Sequence, residues 1–194
     1  ELDRTSNAKG WLKDYTLAEL KEMDFSYQFK ELGKVSIPTM KEVFELLKPT
    51  NLIINIELKT GIFDYEGIEE KIVALTHAEG FEDRVIYSSF NHYSIMKIQE
   101  LDPNAKTAFL YSDGPLDVPL YGYEHHVNAL HPAAYNLRLP DFMEECNVYH
   151  LDVNVWTVNT EEIALMCLKY GVNTLITNYP DRIKKVIEKY ETGI

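Results

Sequence analysis

Apolar residues in this chain switch spacing repeatedly, from every second position to every third or fourth, and the switching is regular from residue 52 onward. Residues 52–59 read as a strand, and from Ile54 on they alternate strictly. Ile54, Ile56 and Leu58 share one face of a predicted strand, and Asn55, Glu57 and Lys59 share the other. Residues 65–79 then take helical spacing. The exchange recurs as strand 84–90 and helix 92–101, in which Ile95, Ile98 and Leu101 are apolar. Strand 106–111 follows, then 115–123, which keeps neither period and reads as a loop-like connector. Strand 127–131 leads to a short helix over 139–146, strand 153–158 to helix 161–170, and strand 174–177 to helix 180–190. Strand–helix alternation with short links predicts parallel strands joined by right-handed crossovers.

Residues 1–35 are polar and irregular by contrast. They hold one helix candidate over 16–23, with Thr16 as N-cap and Glu19 completing a capping box. A second helix begins after Pro38, with Thr39 as cap, Glu42 three residues on, and Val43, Leu46 and Leu47 on one face.

Composition narrows the class. The 194 residues suffice for one domain with a core, and 45% hydrophobic content excludes a disordered chain. No apolar run approaches the roughly 18–20 residues of a membrane span. A net charge of −12 argues against nucleic acid as main partner, yet allows a small phosphorylated ligand, which needs only one local cation. Cys146 and Cys167 lack disulfide or metal spacing and read as core thiols in a reducing compartment, so a cytoplasmic location is the expectation.

In a parallel α/β barrel the chemistry collects at the carboxyl ends of the strands. Those ends carry Glu57 and Lys59, Ser88-Ser89-Phe90-Asn91, Tyr111, His131, Trp156-Thr157-Val158-Asn159 and Thr177-Asn178. Glu57 suits a hard cation such as calcium or magnesium, or else an internal ion pair. Lys59 suits a phosphate, a Schiff base, or a structural pairing with Glu57. Trp156 can floor a pocket or pack a core, and His131 can touch substrate or serve structure. His125 and His126 lie in a polar connector without further ligands nearby.

Leu2-Asp3-Arg4-Thr5-Ser6-Asn7, Tyr15-Thr16-Leu17-Ala18-Glu19-Leu20, Ile37-Pro38-Thr39, Asn55-Ile56-Glu57-Leu58-Lys59, Ser88-Ser89-Phe90-Asn91, Val155-Trp156-Thr157-Val158-Asn159 and Ile176-Thr177-Asn178-Tyr179-Pro180-Asp181 occur in an order that resembles the glycerophosphodiester phosphodiesterase family, compact bacterial type. The resemblance implies an α/β fold, a TIM-type (β/α)8 barrel of the PLC-like phosphodiesterase class. Residues 1–36 would form a small insertion, and residues 37–194 would supply barrel strands three to eight. The activity implied is metal-dependent hydrolysis of glycerophosphodiesters to glycerol 3-phosphate and an alcohol, with calcium or magnesium as cofactor.

By that resemblance Glu57 is one of three acidic metal ligands and Lys59 binds the phosphate. Trp156 and Phe90 line the glycerol and alcohol pocket, with Tyr111 and His131 as further candidates for its wall. The family's His-Arg-Gly, Glu-x-Asp and His-Asp motifs belong upstream of Glu1, so no acid/base histidine is expected in this chain, and the chain alone is expected to be inactive. Asn178 stands where the family usually has Asp. Two absent βα units would leave unpaired sheet edges, so the missing segment is expected to accompany an ordered chain as a separate chain or fragment. Three rival expectations stand beside this one: an inactive barrel that binds or assembles, a lysophospholipase D-like phosphodiesterase, and an aldolase-like site with Lys59 as the amine.

Overall fold

The computed structural model describes residues 1–193 and divides the chain into two compact units, residues 1–51 and the remainder from Leu52. Helix α1 (Leu17–Glu22) and helix α2 (Met40–Leu47) both lie in the first unit, so the helix after Pro38 groups with the N-terminal stretch and not with the strands. Both begin with complete capping boxes, Thr16 with Glu19 and Thr39 with Glu42. A Lys21–Glu42 ion pair of 2.6 Å joins them. Nearby, the Asp24 carboxylate accepts bonds from the Ser26 N–H and hydroxyl and from the Val35 N–H, which hold its pKa down at about 2. The buried side chain of α2 is Phe44, while Leu46 is exposed, so the expected Val43–Leu46–Leu47 face is displaced around the helix.

The second unit is one sheet of six parallel strands in sequence order: β1 (Ile54–Glu57), β2 (Val85–Ser89), β3 (Lys106–Tyr111), β4 (Ala129–Pro132), β5 (Asp152–Val155) and β6 (Thr174–Leu175). Helices α3 (Ile68–Glu79), α4 (His92–Leu101), α5 (Val118–Glu124), α6 (Phe142–Val148) and α7 (Glu161–Tyr170) fill the crossovers, and α8 (Pro180–Thr192) follows the last strand. The stretch read as a connector therefore contains α5. Its apolar period is hidden by Pro119 in the first turn and by Gly122, which faces the sheet. A Cβ on Gly122 would come within 3.0 Å of Leu130 and 3.3 Å of Leu151, so glycine allows the close approach. Gly171 ends α7 in the left-handed conformation.

Register fixes which side chains share a face. Glu57 pairs with Ser88, Ser88 with Ala108, Ala108 with Ala129, and Ala129 with Asp152. The opposite face carries Tyr87, Phe109, Leu130 and Val153, all buried. It meets the helices: the Tyr87 hydroxyl bonds Thr76 of α3, and the Phe109 ring stacks on His92 of α4 and Tyr121 of α5.

The sheet curls around the first of these faces. Phe90, just past β2, and Trp156, just past β5, have ring centroids 5.5 Å apart in an edge-to-face contact. Three strand steps would separate them by about 14 Å in a flat sheet. The strands thus form part of a barrel wall, with β1 and β6 at its two ends.

Candidate active site

The concave face carries Glu57 and Lys59 from β1 and its end, Ser88 and Phe90 from β2, His131 from β4, and Asn154 and Trp156 from β5. Glu57 and Lys59 form an ion pair of 2.6 Å in which the Glu57 side chain is 29% exposed and the Lys59 side chain 72%. A pair this open contributes at most about 1 kcal/mol to folding. Both groups remain accessible to a ligand.

Across the concavity the Trp156 indole N–H donates to the His131 carbonyl at 2.8 Å, and its ring meets the edge of Phe90. The Trp156–Thr157 peptide is cis. Asn159 organises the adjoining turn, its amide oxygen accepting from the Thr177 hydroxyl and the Asn178 N–H.

His131 lies deeper than a strand-end residue should. The parallel pairing runs on past it to Ala133 and Trp156, which leaves its side chain 1% exposed. Burial pushes its pKa down to about 4, so the imidazole is neutral at physiological pH. The Asn154 amide N–H donates to Nε2 at 2.9 Å, which places the ring proton on Nδ1. Nδ1 and the Ser88 hydroxyl are buried on this face without a hydrogen-bond partner among the described residues.

Tyr111 is not on this face. Alternation from Phe109 sends it to the helix side, where it is buried and where desolvation, then the Cys146 thiol of α6, drives its hydroxyl pKa upward. The expectation that it walls the pocket therefore fails on geometry. Within β3 both faces are apolar, so the sequence offers no sign of which side Tyr111 takes.

Among the described residues no three His, Cys, Asp or Glu side chains come together as a cation site. Glu57 offers one carboxylate, and these residues by themselves do not fit a calcium or magnesium ion. The sequence reading also passed over the polar groups behind Lys59: Thr60, Ser94 and Glu69 form a buried hydrogen-bonded chain. Their only outward sign is the polar Ser89 and Asn91 that flank Phe90.

A parallel sheet curled around polar and aromatic strand ends defines a protein of the TIM-type barrel class. An Oleispira antarctica phosphodiesterase, solved with the product sn-glycerol-3-phosphate, shares this fold with a TM-score of 0.81 at 24% identity, over 96% of this chain and 76% of that one. The chain belongs to the glycerophosphoryl diester phosphodiesterase family, whose sequence pattern matches residues 1–182. A glycerophosphodiester phosphodiesterase from Caldanaerobacter subterraneus subsp. tengcongensis is 36% identical over 97% of this chain and 77% of its own length. One from Bacillus altitudinis is 37% identical over 97% and 78%. No helix among the described residues is long and apolar enough to cross a membrane.

Proposed function

We propose that the chain carries the substrate-holding part of an enzyme that hydrolyses glycerophosphodiesters to glycerol 3-phosphate and an alcohol. The observation that carries this reading is the open Glu57–Lys59 pair on the same concave face as the Phe90–Trp156 edge. The Lys59 ammonium neutralises a phosphodiester oxygen and orients the phosphorus. Phe90 and Trp156 supply an apolar wall for the glycerol carbons and the alcohol. Glu57 would offer one carboxylate to a divalent cation, and the described residues gather no three His, Cys, Asp or Glu side chains around it.

Hydrolysis also needs a general base and a general acid on opposite sides of phosphorus. His131 supplies neither, being buried, neutral and bonded through Nε2. The expectation for the 194-residue chain by itself is phosphate binding without turnover.

The test is release of sn-glycerol 3-phosphate from glycerophosphocholine by the full-length natural protein, with calcium or magnesium, beside the 194-residue chain. Turnover by the full-length protein only is the expected result. No turnover by either would sink the reading and leave a binding barrel. Faster hydrolysis of lysophosphatidylcholine than of glycerophosphocholine would move the substrate class to lysophospholipids, with the acyl chain against the exposed Phe90.

A further inference from the structure

Lys59 is exposed, and a lysine stem has four freely rotating carbons, so its backbone must be fixed if its ammonium is to meet a phosphate reproducibly. The structure fixes it on both sides. Leu58 donates its N–H to the Ser88 carbonyl at 2.8 Å, and its own carbonyl accepts the Ser89 hydroxyl at 2.6 Å. Ser89 in turn accepts the Asn91 N–H at 2.9 Å. The Asn91 side-chain amide reaches over to Thr60, donating to its carbonyl at 3.4 Å and to its hydroxyl at 3.2 Å.

From Thr60 the chain of bonds turns inward. Thr60 and Ser94 hydroxyls lie 2.6 Å apart, and Ser94 donates to the Glu69 carboxylate at 2.6 Å. A carboxylate only accepts, so Ser94 must spend its proton on Glu69, and Thr60 must spend its own on Ser94. Every proton in the series Asn91, Thr60, Ser94, Glu69 thus has one direction, and each bond polarises the next. Thr60, Ser94 and Glu69 are all buried, and the Lys97 ammonium sits 3.7 Å from the far side of Glu69. A buried carboxylate at the end of such a series costs desolvation. The fold retains it where α3 and α4 begin, directly behind the one segment that carries Lys59.

We propose that Glu69, Ser94, Thr60 and Asn91 are positioning residues for Lys59, acting on phosphodiester binding through the placement of its backbone. This inference rests on the phosphate-binding reading of Lys59. It also assigns a task to Ser89, whose hydroxyl links the Leu58 carbonyl to the Asn91 N–H.

The test is a double-mutant cycle on kcat/KM for glycerophosphocholine in the full-length natural protein, with Tm measured for every variant. Thr60→Val and Ser94→Ala should each raise KM about tenfold with kcat within about threefold, the scale expected when a contact is displaced and not removed. In a Lys59→Met background neither should lower kcat/KM further. Glu69→Gln, which keeps an acceptor oxygen, should stay within about threefold of the parent. Should Ser94→Ala unfold, the near-isosteric Thr60→Val carries the cycle. Loss of Tm with unchanged KM, or full multiplication of the effects in the Lys59→Met background, overturns the positioning role and leaves the phosphate reading standing. If Lys59→Met itself changes neither KM nor kcat, the phosphate reading falls and this inference with it.

Discussion

The two sides of the concave face are held in different ways. At the β1–β2 side, the Lys59 segment is tied by directed hydrogen bonds, donated to Ser88 and received from Ser89 and Asn91, and Thr60 leads on to a buried carboxylate. At the β4–β5 side, ring contacts and one indole hydrogen bond place Trp156, while His131 Nδ1 has no hydrogen-bond partner among the described residues. A cation that must meet charged oxygens needs direction, since charge-assisted bonds weaken steeply with misalignment. An apolar wall needs only contact area, which tolerates small displacements. The polar side is thus built for geometry and the aromatic side for coverage.

Four experiments test that division. The largest effect is expected from Lys59→Met, which should lower kcat/KM by about a hundredfold or more with little change in Tm, because the side chain is exposed. Steady-state kinetics beside thermal unfolding checks both halves of that statement.

The next concerns acid stability. His131 has a folded pKa of about 4, below its ordinary value, so the unfolded chain takes up the proton first as pH falls. Its contribution is complete above about pH 6.5 and is lost progressively down to about pH 4, on the order of 3 kcal/mol in all. Urea unfolding across this window should show the slope, and His131→Gln should flatten it. An unchanged slope in that variant would place the acid sensitivity elsewhere.

Trp156→Ala should raise KM about tenfold while kcat moves less, as expected for a wall that binds ground and transition states alike. A kcat/KM loss as large as that of Lys59→Met would erase the distinction between the two sides. Smallest of all, Tyr111→Phe should leave kinetics unchanged and stability equal or slightly higher. The removed hydroxyl is buried on the helix side and has no partner among the described residues.

What could be read from the sequence follows the same physics. Helices His92–Leu101 and Glu161–Tyr170 match their predicted spans, and both capping boxes form, because these signals are local and chemically specific. The facing of Tyr111 was hidden because a strand buried on both sides carries no alternation. His131 reads as a strand-end residue because the pairing that continues past it joins Ala133 and Trp156, more than twenty residues apart. Glu69 reads as one more solvated helix carboxylate, and only the packing of α3 against α4 buries it beneath Ser94. Its partners are distant in sequence, so no window around it reveals the role. The strand-end residues Glu57, Lys59, Phe90 and Trp156 do share the concave face, since strand alternation alone predicts that much.

The chain has two tryptophans, Trp11 in the first compact unit and Trp156 in the second. Replacing Trp11 with Phe would therefore leave a single tryptophan, seated against Phe90 with its indole N–H committed to one carbonyl. Its fluorescence would become a built-in optical gauge of the concave face, shifting in wavelength and lifetime as that surface dries or fills. Ligand arrival could then be followed in real time, on unlabelled protein, under conditions in which nothing is hydrolysed.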